Sequence, residues 1–223
     1  MDIFDLVFPK SCLNCGKSGC YICRLCLEKI GKPKQICIIC EKASIDGVTH
    51  IKCKKTWGMD SMFSIWKYEG VIRKAIIGLK YKFASSIAGE VAECASAHLT
   101  SYSILPKANY LLIPVPLHEF RKNWRGFNQA EEIGKRLSEK MGWEFSPSIL
   151  IRKKLRMPQT MLKGKERLKN IQGVFSLNPN YQLPSTSFIL FDDVATTGST
   201  MREAGKVLKR NGAKAVWGLT IAR

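Results

Sequence analysis

The sequence contains no long apolar run. None of its apolar stretches approaches the ~18 residues that a helix needs to cross a bilayer, so we expect no transmembrane segment. The N-terminal stretch MDIFDLVFPK carries acids where a secretory signal peptide carries basic residues. We therefore expect a cytoplasmic protein, and we leave open a peripheral position at the inner face of the cytoplasmic membrane.

Two common nucleotide-binding motifs are also missing. The chain has no G-x-x-x-x-G-K-[ST], which excludes a nucleoside-triphosphate P-loop. It has no G-x-G-x-x-G after a strand, which excludes the simplest kind of dinucleotide site.

Acidic residues are scarce. The chain has 18 Asp and Glu against 36 Lys and Arg, which gives a formal net charge of +18. Clustered basic residues gain free energy when they release counterions from a phosphate backbone, so a polyanionic partner such as nucleic acid is expected. Metal-bound thiolates would lower this charge, and a generally basic proteome would produce the same excess without nucleic acid.

Cysteine is nearly confined to the N-terminal part of the chain, where eight of the nine cysteines lie within the first 53 residues. Their C-x-x-C spacing in a cytoplasmic chain indicates structural Zn²⁺ rather than disulfides, because two thiolates three positions apart can bind one ion. Cys20 precedes the second pair and is the weaker candidate. The predicted ligands are Cys12, Cys15, Cys23, Cys26, Cys37, Cys40, His50 and Cys53.

The ligands can be combined in two ways. Consecutive pairing would join Cys12/Cys15 to Cys23/Cys26, and Cys37/Cys40 to His50/Cys53, whereas a cross-braced pairing is equally allowed by the spacing. His50 could also be an ordinary exposed histidine. Since so short a segment has too few apolar residues to fold unaided, we expect metal to form its core. We predict a zinc-binding module over residues 1–56 and a second domain over residues 57–223.

Strand and helix patterns alternate through the second domain. Predicted strands cover 59–68, 110–115, 149–153, 188–191 and 215–221, and predicted helices cover 70–79, 85–99, 130–141 and 200–211. This alternation predicts an α/β fold with a mostly parallel sheet.

The most informative stretch is SFILFDDVATTGST, residues 187–200. Its apolar run ends in two adjacent carboxylates, Asp192 and Asp193, which we call the acidic pair. A turn rich in small residues and hydroxyls follows and leads into a helix, an arrangement suited to a phosphate group. A strand with a polar end and an ordinary Ser/Thr helix cap is the structural alternative. The predicted binding residues are Val194, Ala195, Thr196, Thr197, Gly198, Ser199 and Thr200.

Four apolar residues followed by D-D-V-x-T-T-G-x-T resemble the phosphoribosyl-pyrophosphate-binding motif of type I phosphoribosyltransferases. The resemblance implies that the acidic pair contacts the ribose hydroxyls at the catalytic centre. It also implies that the turn of residues 195–200, called the phosphate turn below, wraps the 5′-phosphate, and that Mg²⁺ accompanies the ligand.

The whole chain resembles the ComF/GntX family of phosphoribosyltransferase-like proteins, through F-P-x-x-C-x-x-C, Y-E-G, L-K-Y, P-V-P-L-H, R-G-F-N-Q-A-E and the motif above. The family usually has a fourth C-x-x-C, which His50-x-x-Cys53 replaces here. The resemblance implies a type I phosphoribosyltransferase fold, a doubly wound sheet with a small N-terminal zinc-binding module. It also implies a pyrophosphate loop after Pro116, with the candidate ligands Leu117, His118, Arg121 and Arg125.

The stretch Arg152 to Lys169 carries eight basic residues and one acid, at the position of the loop that closes over phosphoribosyltransferase active sites. A solvated charged linker is the alternative. The family implies a role in natural competence, the handling of incoming single-stranded DNA during DNA uptake, with competence-machinery proteins as further partners. The alternative is an active metabolic phosphoribosyltransferase, although no stretch identifies its base or amine acceptor.

Overall fold

A parallel β-sheet forms the centre of the protein in the computed structural model. The structure describes residues 9–79, 84–101, 110–117, 126–152, 173–183 and 186–223. Among these residues, five strands form one sheet in the order β1-β7-β6-β2-β3, and every neighbouring pair is parallel. The strands are β1 (Ser61–Trp66), β2 (Tyr110–Pro114), β3 (Glu144–Phe145), β6 (Ser187–Val194) and β7 (Ala215–Ala222).

A separate antiparallel hairpin joins β4 (Leu150–Arg152) to β5 (Phe175–Leu177). Residues 153–172 lie between its two strands and outside the described residues. The predicted basic loop therefore lies outside them except for its first residue, Arg152, which ends β4. The helices are α1 (Arg24–Glu28), α2 (Gly70–Gly78), α3 (Ala84–Thr100), α4 (Gln129–Met141) and α5 (Ser199–Arg210).

The central strand β6 is apolar on both faces. Its residues Phe188 to Phe191 are fully buried, with Phe188 and Leu190 in one core and Ile189 and Phe191 in the other. Successive side chains of a strand point to opposite faces, and a parallel sheet is covered on both, so a continuous apolar run is what such a strand requires. Helix α5 packs on the first face, and α2, α3 and α4 pack on the second.

The cysteine-rich segment shares its core with the sheet domain. Cys12, Cys23 and Cys26 belong to the same apolar cluster as the buried residues of α2 and α3. A carboxylate oxygen of Glu90 in α3 accepts the N–H groups of Tyr21 and Ile22, at 2.7 and 2.9 Å. The segment is therefore docked directly on α3, and the boundary near residue 56 stays a prediction.

The structure confirms the α/β fold with a mostly parallel sheet, and each predicted strand and helix coincides with an observed one apart from small shifts at the ends. Two strands were missed, β3 with two residues and β5 with three, because so few residues give no periodic pattern. No described helix is long and apolar enough to cross a membrane.

Candidate functional site

Two clusters of potential metal ligands lie in the cysteine-rich segment. In each cluster the four ligand atoms all lie within 4.8 Å of one another. The first Cys group consists of Cys12, Cys15, Cys23 and Cys26, and the second Cys/His group consists of Cys37, Cys40, His50 and Cys53. The geometry therefore favours the consecutive pairing over the cross-braced one, a choice that the spacing alone left open.

The two groups are built on the same turn. The N–H groups of Cys12 and Cys37 donate to the carbonyl oxygens of Lys17 and Lys42, at 2.8 and 2.9 Å. Each turn also places its fifth residue in the left-handed region, with φ 77° at Gly16 and 60° at Glu41. This shared geometry makes the first thiol of each C-x-x-C pair face backbone N–H groups.

Those N–H groups change the acidity of the first thiol in each group. Burial raises the pKa of Cys12, but the N–H groups of Cys15, Cys23 and Asn14 outweigh burial and lower the pKa to about 6. Cys37 behaves in the same way and its pKa falls to about 7. Both thiols thus favour the thiolate, the form that binds metal.

The close packing of thiols within each group favours the binding of a cation. Burial, followed by the neighbouring Cys40 and Cys37 thiols, raises the pKa of Cys53 to about 11. A positive ion bound in the group would offset this repulsion and favour the thiolate of Cys53. Zn–S bonds of ~2.3 Å in a tetrahedron place two sulfur atoms ~3.8 Å apart. Cys15 Sγ and Cys23 Sγ are 3.6 Å apart, so the first Cys group is compatible with zinc.

His50 is oriented as a metal-binding histidine would be. Its Nδ1 lies 3.4 Å from Cys40 Sγ, and its Nε2 lies 3.1 Å from the carbonyl oxygen of Ala43. A hydrogen bond from Nε2–H to that carbonyl leaves the Nδ1 lone pair directed at the thiols, as in histidines that bind metals. The second Cys/His group could therefore hold a structural metal such as zinc.

The phosphate turn lies at the carboxyl edge of the sheet, between the end of β6 and the start of α5. Within the described residues, no acceptor pairs with the N–H groups of Thr196, Thr197 and Gly198. The side-chain oxygen of Thr197 accepts a weak hydrogen bond from the N–H of Ser199, at 3.4 Å. Open N–H groups at the start of a 12-residue helix form an anion-binding arrangement.

Gly198 allows the phosphate turn to pass close to the second Cys/His group. Its φ is 68°, and a Cβ there would lie 3.2 Å from Met62 Sδ and 3.3 Å from Ile38 Cγ1. Ile38 stands between Cys37 and Cys40, so the turn rests directly on that group. Any larger residue at 198 would be strained and crowded.

Arg202 links the same two parts by hydrogen bonds. Its Nη1 donates to the carbonyl oxygen of Ile38 at 2.6 Å and to that of Thr197 at 3.0 Å. It also lies 3.7 Å from Glu41 Oε1. One guanidinium therefore fixes the phosphate turn to the second Cys/His group.

The acidic pair is partly buried at the end of β6. The N–H of Asp193 donates to Asp192 Oδ1 at 2.9 Å, and the N–H of Val194 donates to Asp193 Oδ1 at 2.8 Å. Burial and then the charge of Asp193 hold the pKa of Asp192 well above its usual range, and Arg152 opposes this rise. Hydroxyl donors or a divalent cation would relieve the repulsion within the pair.

The end of β2 lies beside the end of β6. The N–H of Val115 donates to the Phe191 carbonyl oxygen at 2.8 Å, which brings partly buried Leu117 to the same edge. Buried Asn128 donates from Nδ2 to the Val115 carbonyl oxygen and caps α4 through its Oδ1, both at 3.1 Å. The other predicted pyrophosphate ligands, His118, Arg121 and Arg125, lie outside the described residues.

The structure thus gathers the acidic pair, the phosphate turn and Leu117 at one edge, with the second Cys/His group beneath the turn. Sequence reasoning missed the contacts of Arg202 and the electrostatic effect of Arg152 on Asp192, because both join distant parts of the chain. Asn128 could have been predicted as a helix N-cap, because Asn directly before a helical pattern is a common cap.

Several proteins are similar to this chain, among them two competence proteins and a DNA utilization protein. Competence protein F of Haemophilus influenzae is 39% identical over 121 residues, which cover 53% of this chain and 52% of that protein. DNA utilization protein YhgH of Escherichia coli is 28% identical over 205 residues, 87% of each chain. Competence protein ComFC of Bacillus subtilis is 25% identical over 213 residues, 92% of this chain and 83% of that protein.

These relatives support a ComF-like family for the chain. The match to competence protein F spans only about half of each protein, whereas the matches to YhgH and ComFC run through most of both chains. No protein-family model matches the chain. The ComF-like assignment thus rests on the relatives, and the paired cysteines of the structure are consistent with it.

The metal content of the protein is directly testable. We expect native mass spectrometry to find two Zn²⁺ per chain. Replacing Cys12 and Cys15 by Ser should remove one ion and lower the unfolding temperature, because metal forms the core of the segment. His50→Ala should remove at most one ion.

Cys20 provides the matched control, since it lies in the same segment but in neither ligand group. Cys20→Ser should keep both ions. A metal-free preparation with unchanged stability would contradict the assignment of both groups, and loss of an ion from Cys20→Ser would contradict the ligand set of the first.

Proposed function

We propose that the protein acts in DNA uptake, binding phosphoribosyl pyrophosphate with Mg²⁺ at the carboxyl edge of the sheet and handling single-stranded DNA during natural transformation. The names of the relatives refer to competence and DNA utilization, which supports the role in DNA uptake. The observation that carries the ligand proposal is the open phosphate turn placed directly after the acidic pair.

The chemistry of the edge fits such a ligand. The N–H groups of Thr196, Thr197 and Gly198 and the positive end of α5 would hold the 5′-phosphate. The acidic pair would accept hydrogen bonds from the ribose hydroxyls, and Mg²⁺ would supply positive charge between these carboxylates and the pyrophosphate oxygens. Leu117, His118, Arg121 and Arg125 are proposed to contact the pyrophosphate.

The charge of the chain supports the DNA part of the proposal. An excess of 18 positive charges favours a polyanion, and eight basic residues concentrate between Arg152 and Lys169. Trp124 and Phe127 are available to stack on unpaired bases, which all have an aromatic face. Binding of this kind would show little sequence preference.

An active phosphoribosyltransferase is the second candidate, favoured by the state of Asp192. Burial and the adjacent Asp193 raise the pKa of Asp192, and carboxyl groups with a raised pKa occur at sites of proton transfer. Incubation with labelled phosphoribosyl pyrophosphate and a panel of bases and amines would reveal transfer. A labelled product would favour the enzyme over a protein that uses the ligand for regulation.

Neutralising the acidic pair should weaken ligand binding. We expect Asp192→Asn with Asp193→Asn to cost ~1–3 kcal/mol of binding free energy for phosphoribosyl pyrophosphate with Mg²⁺, because charged hydrogen bonds are lost. Isothermal titration calorimetry measures this difference.

Glu139→Gln is the matched control, because it removes one carboxylate from an exposed position on α4. It should leave the affinity unchanged. If the doubly neutralised protein binds with wild-type affinity, the ligand does not occupy this site.

Single-stranded DNA binding should depend steeply on salt. The logarithm of the affinity should fall linearly with the logarithm of the salt concentration, with a slope of about −0.7 per phosphate neutralised. Lys163→Glu with Lys165→Glu should flatten this slope, as measured by fluorescence anisotropy, while the Zn²⁺ content stays intact.

Lys135→Glu with Lys140→Glu makes the same charge change on the exposed face of α4 and serves as the control. It should change the slope much less. Salt-insensitive binding, or equal effects of both pairs, would show that the basic run does not hold DNA.

A further inference from the structure

A concave apolar surface lies beside the second Cys/His group. It forms an open cavity of about 810 Å³, whose lining includes Cys40, His50 and Cys53 of that group. Three of its aliphatic side chains are exposed, Ile45 at 84%, Ile51 at 87% and Val48 at 40%. Isolated exposed apolar residues are common, but three on one concave surface within seven positions are not explained by folding of the chain.

The backbone beneath this surface is held firmly. Gly47 has a φ of 72°, and a Cβ there would clash with the Met62 carbonyl oxygen, so the chain passes against β1. Val48 forms a bridge with Ser61. The hydroxyl of Thr49, 1% exposed, donates to the Met59 carbonyl oxygen at 2.7 Å. The isoleucines are therefore presented on a fixed backbone, which lowers the entropy cost of binding.

The lining is basic. Its charged side chains are Lys42 and Lys52, and none of the residues that line the cavity is a carboxylate. Exposed Lys54 and Lys55 follow in the chain. With Zn²⁺ bound, three thiolates and a neutral imidazole leave about one negative charge on the group, and partly buried Asp46 adds another. The four lysines therefore keep the surface positive. An acidic partner would complement it.

The chemistry of the surface selects the class of partner. A second copy of this chain, with its charge of +18, would bring repulsion rather than complementarity. Nucleic acid is acidic, but its bases stack on aromatic rings, and the exposed side chains here are aliphatic. A protein segment with both carboxylates and apolar side chains matches the positive charge and the exposed aliphatic side chains of the surface.

We propose that Ile45, Val48, Ile51, Lys42 and Lys52 form a docking surface for an acidic segment of another protein that inserts at least two apolar side chains. This surface lies apart from the phosphate turn and the basic run. The proposal therefore does not depend on phosphoribosyl pyrophosphate or on DNA. It assigns the second Cys/His group a recognition role in addition to its support of the turn.

Peptide display tests the proposal. The zinc-loaded full chain serves as bait for a random peptide library, and Ile45→Ser with Ile51→Ser serves as the counter-bait. We expect enriched peptides to combine two or more apolar residues with an excess of Asp and Glu. Synthetic versions should bind the double variant at least tenfold more weakly than the unchanged protein.

Two further variants separate the surface from general damage. Leu25→Ser removes a side chain that is 62% exposed beside the first Cys group. This variant should bind the peptides as well as the unchanged protein does. Lys42→Glu with Lys52→Glu keeps the apolar residues and should weaken binding at least tenfold. All variants are checked for two Zn²⁺ per chain, because none of these residues belongs to a ligand group.

Several outcomes would overturn the proposal. These are the absence of enriched peptides, enrichment without acidic residues, and equal binding to the lysine-reversed variant. A concentration-dependent dimer that Ile45→Ser with Ile51→Ser abolishes would instead assign the surface to a second copy. Loss of single-stranded DNA binding in that variant, with no peptide effect, would assign it to nucleic acid.

Discussion

The close contact between the second Cys/His group and the phosphate turn is the constraint on which the candidate site depends. Arg202 donates to carbonyl oxygens on both sides of this contact, and Ile38 fills the space that Gly198 leaves open. These contacts would hold the three open N–H groups of the turn in their present direction. A metal-bound turn in the cysteine-rich segment would thus fix the geometry of an anion site that belongs to the sheet.

The duplicated C-x-x-C turns show how one local structure can serve two purposes. The first turn has Gly16 at its left-handed position, where glycine is favoured, and faces α3 through the bonds of Tyr21 and Ile22 to Glu90. The second has Glu41 there, a non-glycine residue at φ 60°, which costs ~1 kcal/mol or more. Glu41 lies 3.7 Å from Arg202, so the costly residue is the one that faces the arginine supporting the phosphate turn.

Local patterns allowed much of the fold and part of the site to be predicted. The short run from Phe188 to Asp193 predicts both a buried strand and its acidic end. Strand β6 and the position of the acidic pair therefore follow from the sequence. The pairing of the cysteines does not follow from the sequence, because their spacing allows a consecutive and a cross-braced arrangement. Only packing against α3 and β1 favours the consecutive one. Arg202 could not be predicted either, since its partner Ile38 is 164 positions away along the chain.

Arg202 joins the second Cys/His group to the phosphate turn, and its loss should weaken the anion site. Calorimetry of phosphoribosyl pyrophosphate binding to Arg202→Met tests it most directly, with Lys206→Met on the same helix as the control and Zn²⁺ counted in each preparation. We expect about tenfold weaker binding for Arg202→Met, since a charged hydrogen bond contributes ~1–3 kcal/mol, with both ions retained and the control unchanged. Wild-type affinity in Arg202→Met would contradict it.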